Sequence, residues 1–183
     1  MTDASALDLL PTLLVRPEEA KRAPIRINLS LDEKECAALA AIHGLEGISS
    51  FVLKAEVRAH GKRALKADGN LIADVTYKCG VTLEPYSVAL HVPLKQMFVA
   101  KLDDRDGDAI TIDPLDEYDV DGLRDGEADI ADAAYQLFAT SLDPFPRHPS
   151  LADAPADAND SYDGEADENP VSPFAVLAQL KPQ

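Results

Sequence analysis

Two cysteines and four histidines are the side chains in this sequence best able to hold a metal or to act in nucleophilic catalysis. Cys36 and Cys79 lie far apart in unlike contexts, which predicts two reduced thiols rather than a disulfide. The histidines are His43, His60, His91 and His148. None of them is spaced with a carboxylate as a catalytic pair would be, and nothing fixes the separation of Glu84 from other carboxylates. The residues therefore offer no recognisable catalytic constellation.

An acidic run in the second half superficially resembles a calcium-binding loop. It covers residues 103–108, where four aspartates surround Arg105 and a glycine. A calcium loop needs a bidentate Glu at its twelfth position, and here that position falls on Pro114. We therefore expect a solvated acidic loop and no metal site.

A dense group of cations is the best candidate for a contact with nucleic acid. Five cations fall within thirteen residues, opposed by Glu56, and Lys78 follows later. The five are Lys54, Arg58, Lys62, Arg63 and Lys66. Cations neutralise backbone phosphates, but no aromatic platform for stacking bases accompanies these residues. An ordinary solvated strand face is the alternative interpretation.

The charge of the chain is divided between its two halves. The 183 residues carry a net charge of −16. Residues 1–102 hold 13 cations against 12 carboxylates, whereas residues 103–183 hold 4 against 21. This division predicts an acidic, solvated arm beside a folded part, and it argues against the whole chain being a generic phosphate binder. Neither a membrane span nor a signal peptide is recognisable, so we expect a cytoplasmic protein.

Alternation of apolar and polar residues predicts most of the strands. A short strand is expected over 25–29 and a longer one within 47–60. The stretch 71–99 is predicted to form two strands joined by a short connection. Asp-Gly-Asn at 68–70 is typical of a type I′ hairpin turn. Pro93 cannot donate to a ladder, which favours an edge position or a bulge there.

Two helices are expected to pack against these strands. The first covers 30–43, where Ser30 and Glu33 match a capping box and Gly44 is suited to end the helix. The second covers 128–141, with Asp129 as its cap.

Between the last predicted sheet strand and the second helix, the chain is acidic. Residues 109–112 fit a short strand, and residues 114–126 fit a loop. After the second helix, three prolines within 142–149 predict an extended exit from the domain.

These elements predict an α+β protein with an antiparallel sheet of about four to six strands, two main helices and a disordered acidic C-terminal tail. Residues 1–24 form an extended lead-in, and residues 25–149 form a single domain. Residues 150–169 hold no Lys or Arg and little apolar surface, which predicts a disordered linker. Residues 170–183 form a short apolar segment, suited to docking on the core or on a partner.

Three patches of the chain together resemble one family. They are YKCGVTLEP at 77–85, LDPFPRHP at 142–149 and NPVSPFAVLAQLK at 169–181. In this order they resemble the YceD family, the bacterial large-ribosomal-RNA-subunit accumulation proteins, and specifically its alphaproteobacterial branch. The residues that carry the resemblance are Cys79, Thr82, Leu83, Glu84, Pro85, Pro144, Pro146 and Phe174. The likeness covers roughly residues 45–181.

The resemblance implies a non-enzymatic cytoplasmic factor that supports synthesis, processing or accumulation of large-subunit (23S) rRNA. The partners it implies are 23S rRNA or large-subunit assembly proteins, with no cofactor, no membrane and no small-molecule substrate. The cation group is then the candidate rRNA contact. Two alternatives remain: an acidic module that binds a basic partner such as a ribosomal protein through residues 103–168, and, least favoured, a small hydrolase-like enzyme.

The chain departs from the family at one position that bears on metal binding. Many family members carry Cys-x-x-Cys at the hairpin connection, whereas here Cys79 matches the second cysteine and Thr76 stands where the first would be. A zinc site needs about four ligands with paired spacing. We therefore expect Cys79 to be a packed residue at a tight turn rather than a ligand or a reactive thiol.

Overall fold

The structure is a computed structural model, and it describes residues 8–61, 63–100 and 118–151. The chain divides into two units, Met1–Pro149 and Ser150–Gln183, and the helices and strands that position the candidate site belong to the first. No helix among the described residues is long and apolar enough to cross a membrane.

Some sequence predictions concern residues outside these ranges and stay predictions. They are Lys62, Phe174, the calcium-like run 103–108, the strand 109–112, and the linker and apolar segment beyond Leu151.

The described elements follow one another along the chain in an α+β order. They are β1 (Leu14–Val15), α1 (Pro17–Ala20), β2 (Ile25–Ser30), α2 (Glu33–His43), β3 (Gly47–His60), β4 (Ala64–Lys78), β5 (Pro85–Val99), β6 (Asp119–Gly122), β7 (Ala128–Asp129), α3 (Ile130–Ser141) and a 3₁₀ turn (Pro149–Leu151).

One five-stranded sheet organises the first unit, in the order β2-β3-β4-β5-β6. The first four strands are joined as antiparallel neighbours, and β6 then pairs with β5 in parallel. The predicted α+β class and strand number are confirmed, with the refinement that the sheet is mixed. Residues 114–126 were expected to be a loop, yet β6 lies within them. A strand that pairs in parallel with its predecessor must be reached through a crossover of about a dozen residues or more. The alternation of apolar and polar residues over the four residues of β6 is too short to predict such a strand.

One face of the sheet, here called the inner face, is apolar and carries the core. Along β4, every second residue from Leu71 to Tyr77 is essentially inaccessible to solvent, and Cys79 continues that parity. The alternation that predicts these strands is therefore confirmed. Phe51 of β3 packs edge-on against Phe138 of α3, with ring centroids 5.5 Å apart. The core is otherwise aliphatic, since most of its buried residues are Leu, Val, Ile and Ala.

Helix α2 starts two residues later than its sequence motif suggests. Asp32 is the cap: its carboxylate accepts the Glu35 N–H at 2.8 Å, and the Glu35 carboxylate accepts the Asp32 N–H at 2.7 Å. The Ser30–Glu33 capping box is wrong because Ser30 still belongs to β2, opposite Val52. The end at Gly44 is confirmed, with a left-handed φ of 65°.

The lead-in is tied to the start of α3. β1 pairs with β7, and the Asp129 carboxylate accepts N–H bonds from Ala131 at 3.0 Å, from Asp132 at 3.2 Å and from Leu13 at 3.1 Å. The cap predicted at Asp129 is confirmed, and it also anchors a segment more than a hundred residues earlier in the chain. The lead-in was expected to be extended, yet it contains the short helix α1.

The chain reverses between the end of β3 at His60 and the start of β4 at Ala64, and not at the predicted turn 68–70. Gly61 has a φ of 67°, whereas Gly69 lies inside β4, opposite Ala55. A Cβ on Gly69 would come within 2.7 Å of the Ala55 Cα and would also meet the Lys54 carbonyl oxygen. The glycine is therefore required by a close approach of two strands, so the turn prediction at 68–70 is wrong.

Among the strands that the structure describes, β5 lies at the sheet edge along most of its length. Its pairing with β4 is unbroken from Pro85 to Val99, whereas β6 covers only Gln96 to Val99. Pro93 therefore lies at an edge, as one of the two alternatives predicted, and the described register has no bulge there.

We predict that Gly69→Ala lowers the free energy of unfolding by about 1–3 kcal/mol, because the added methyl group overlaps the β3 backbone. Chemical denaturation followed by circular dichroism measures the change. Gly47→Ala is the matched control, since a Cβ at Gly47 meets nothing within 4 Å. Equal unfolding midpoints for the two variants would contradict the close-approach explanation.

Candidate nucleic-acid interface and motif cluster

The sheet gathers three of the six predicted cations on the face opposite the core, here called the outer face. Cross-strand neighbours project from the same face of a sheet. Arg58 lies directly opposite Lys66, and Lys54 lies opposite Asn70. The alternation of β3 and β4 thus places Lys54, Arg58 and Lys66 on one surface, within two neighbouring strands.

Two further cations, which the sequence prediction missed, belong to this surface. Arg26 of β2 lies opposite Glu56, Glu56 lies opposite Asp68, and Asp68 lies opposite Lys95 of β5. The alternation around Arg26 predicts that it projects from the polar face of its strand. Only the strand order and register show that it lies beside β3. We call Arg26, Lys54, Arg58, Lys66 and Lys95 the outer-face cations.

Contacts within the outer face orient several of these side chains. The Arg58 guanidinium donates through Nε to Glu56 at 2.6 Å, and Arg26 lies 3.9 Å from the same carboxylate. The Lys66 ammonium lies 4.3 Å from the ring centroid of Tyr118. Lys54 is exposed and makes no ion pair with any described residue. Exposed ion pairs contribute little to stability. The main effect of these contacts is therefore to hold charged groups at the surface of the outer face.

The other predicted contact residues stand apart from the outer-face cations. Lys78 shares their face, but it lies twelve residues beyond Lys66 along β4, about 40 Å away for an extended strand. It pairs instead with Glu46 at 3.9 Å. Arg63 is exposed in the turn that joins β3 to β4, next to Lys62, which lies outside the described residues.

Charge is unevenly distributed between the outer face and the rest of the described residues. Within the described residues, the outer face of β2 to β5 carries six cations and three carboxylates, whereas all other positions carry seven cations and fifteen carboxylates. The outer face is therefore locally basic in a strongly acidic chain. Such a face attracts polyanions, while the acidic remainder of the described residues repels them.

Two of the three motif patches meet at the opposite end of the sheet. The turn Cys79–Glu84 contacts residues 142–148, here called the exit segment. The Gly80 N–H donates to the Pro146 carbonyl at 2.9 Å, and the Asp143 N–H donates to the Tyr77 hydroxyl at 3.2 Å. Patches more than sixty residues apart in the sequence thus form one structural cluster, which no local signal reveals.

Cys79 is at the centre of this cluster. Its sulfur accepts N–H bonds from Val81 and Thr82 at 3.4 Å and from His148 at 3.3 Å. The Thr82 hydroxyl bonds to the same sulfur, and together these donors lower the pKa of the Cys79 thiol to about 6. The side chain is nevertheless fully buried, whereas burial raises the pKa of the Cys36 thiol.

The geometry of the turn also bears on the position that Thr76 occupies. Thr76 lies on the outer face, where its hydroxyl is 3.1 Å from the Ser87 hydroxyl, whereas Cys79 points to the inner side. Both cysteines are free thiols. Within the described ranges, no three His, Cys, Asp or Glu side chains come together as a metal site would require.

The remaining motif residues shape the surface of the cluster. Leu83 has a left-handed φ of 62° and is 64% exposed, and Phe145 of the exit segment is 81% exposed. Pro85 begins β5, opposite Lys78, while Glu84 closes the turn by accepting the Cys79 N–H at 2.9 Å. Pro144 and Pro146 flank Phe145 in the exit segment.

Fold and site together define a small α+β protein whose mixed sheet carries a basic outer face and joins two of the three motif patches at one end. The family model described as "Large ribosomal RNA subunit accumulation protein YceD" matches residues 67–181. This match spans more than half of the chain, so the chain belongs to the YceD family, and the resemblance inferred from the motif patches is confirmed. A search of curated proteins and a search of solved structures returned no match.

We predict that Cys79 titrates with a pKa of about 6 in the folded protein. A folded-state pKa below the unfolded one means that ionisation stabilises the fold above the unfolded pKa, and that this stabilisation is lost as pH falls through about 6. The ultraviolet absorbance of the thiolate, followed against pH, measures the midpoint.

The cysteine variants separate the two thiols. Cys36→Ser retains the low-pH transition, and Cys79→Ser removes it. A wild-type transition only near the ordinary thiol pKa of about 8.5 would show that the N–H donors do not stabilise the thiolate.

Proposed function

We propose that this protein is a non-enzymatic cytoplasmic factor that supports synthesis, processing or accumulation of 23S rRNA. Membership of a family described by large-subunit rRNA accumulation supports a role connected with that RNA. The observation that carries the proposal further is the basic outer face in a chain of net charge −16. In this proposal the protein acts by binding, either directly to rRNA or together with assembly proteins.

The outer-face cations supply the binding step. Lys54 and Arg58 extend from one strand, with Lys66 beside them on the next. Each cation that neutralises a phosphate releases condensed counterions, so the affinity gained is lost again as salt rises. The carboxylates on the helix side disfavour approach in the opposite orientation, which leaves the outer face as the docking side.

A second candidate function has its own support. Within 118–151, seven carboxylates stand against only Arg124 and Arg147. This acidic surface suits a basic protein such as a ribosomal protein, through the predicted interval 103–168. The two functions differ in what the chain contacts in cells: rRNA in the first, and protein alone in the second.

We predict that Lys54→Glu combined with Arg58→Glu lowers recovery of 23S rRNA about tenfold after crosslinking in cells. The double variant removes two adjacent cations and places new carboxylates beside Glu56. Quantifying rRNA that co-purifies with the crosslinked protein measures the effect. The control, Lys21→Glu with Lys34→Glu, makes the same change in net charge at exposed positions away from the outer face.

Equal recovery for both double variants would refute the outer face as the contact. Recovery of protein but no rRNA with the wild-type chain would favour the acidic-module function instead. A deletion strain with an unchanged large-subunit peak in a ribosome gradient would contradict the role in large-subunit rRNA altogether.

A further inference from the structure

The outer face carries one row of four charges that crosses the sheet. The row runs from Arg26 through Glu56 and Asp68 to Lys95, each residue directly opposite the next. Adjacent strands lie about 4.8 Å apart, so the two terminal cations start from backbones about 14 Å apart. Cations therefore flank the row, and carboxylates occupy its middle.

The two central carboxylates are held in place by neighbours. Glu56 accepts from Arg58 and lies 3.9 Å from Arg26, while the Tyr118 hydroxyl donates to Asp68 at 2.5 Å. A phosphate chain that followed the middle of the row would be repelled by both carboxylates. Two phosphate chains that pass over the flanks would meet cations instead.

The described strands present no aromatic platform for unstacked bases on the outer face. Among the described positions of β2 to β5, no Phe, Tyr or Trp projects from this face. The Tyr118 ring is covered by the Lys66 ammonium. His60 and His91 lie about 27 Å apart along the strand direction, far beyond the separation of neighbouring bases. Single-strand binding that relies on stacking is therefore disfavoured.

We propose that the outer face binds double-helical RNA across its minor groove, with Arg26 and Lys95 on the phosphates of opposite strands. This inference rests on the proposed function, because it names the form of RNA that the same face recognises. The minor groove of an RNA helix is wide and shallow and displays 2′-hydroxyl groups. Glu56 and Asp68 then accept hydrogen bonds from these hydroxyls, which distinguishes RNA from DNA.

Fluorescence anisotropy with the purified full-length chain tests this directly. Three labelled probes of one mixed sequence are compared: an RNA duplex, the RNA single strand and the DNA duplex. We expect the RNA duplex to bind most tightly. Arg26→Ala with Lys95→Ala should weaken its binding about tenfold and reduce the slope of log affinity against log salt by about two. Arg22→Ala with Lys34→Ala, away from this face, is the matched control.

The carboxylates have a separate test. Asp68→Asn with Glu56→Gln should reduce the preference for the RNA duplex over the DNA duplex, because neutral amides accept hydroxyl hydrogen bonds less strongly than carboxylates do. Thermal unfolding of each variant confirms that the fold is retained. An unchanged RNA-to-DNA ratio in a folded variant would overturn the assigned role of these carboxylates.

The outcomes separate this inference from the proposed function. Equal or tighter binding of the single strand, or equal affinities for the flank and control variants, overturns the duplex inference. If the pure chain binds no probe while 23S rRNA still crosslinks in cells, the inference fails and the proposed function stands. If the duplex binds as expected while no rRNA is recovered from cells, the proposed function fails and the duplex-binding face stands.

Discussion

The antiparallel register between β3 and β4 determines where nearly every other group in the first unit lies. Thirteen residue pairs join these strands, with one irregularity between Ile48 and Ser50. Because side chains alternate between faces, a slip of one residue would send the core residues to solvent and the cations inward. Gly69 permits the close approach on which this register depends. The core, the outer-face cations and the motif cluster are therefore consequences of one pairing.

The sheet separates two chemical environments in a chain that is acidic overall. Helices α2 and α3 cover the inner face, and the carboxylates that begin them stabilise their N-terminal turns through backbone N–H groups. The outer face has no helix from the described residues to carry such carboxylates. Six of the thirteen cations among the described residues lie on this face, against three of the eighteen carboxylates. This asymmetry orients an approaching polyanion before any contact forms.

Local patterns predicted what depends on neighbours in the sequence. The alternation of apolar and polar residues predicted which side chains of β4 are buried. The helix end at Gly44 and the helix cap at Asp129 were predicted from residue type, since glycine adopts a left-handed φ and aspartate accepts backbone N–H bonds. Three features depend on distant pairing and could not be predicted this way. They are the position of the turn near Gly61 rather than at Gly69, the parallel strand β6, and the position of Arg26 beside β3. Similarly, the motif residues were recognised as a signature, but their assembly around the Cys79 sulfur needs contacts across more than sixty residues.

The two prolines of β5 have a consequence for how the chain meets other chains. The Val99 carbonyl accepts the Leu123 N–H on the β6 side, so residues an even number of positions away, including Pro85 and Pro93, face that same side. The nitrogens of both prolines carry no N–H, but they face away from β4, so the ladder with β4 loses no donor. Along the stretch of β5 that no described strand covers, an incoming strand would find a donor missing at Pro85 and at Pro93. The prolines thus protect this border of the sheet against templated aggregation while leaving the native pairing complete.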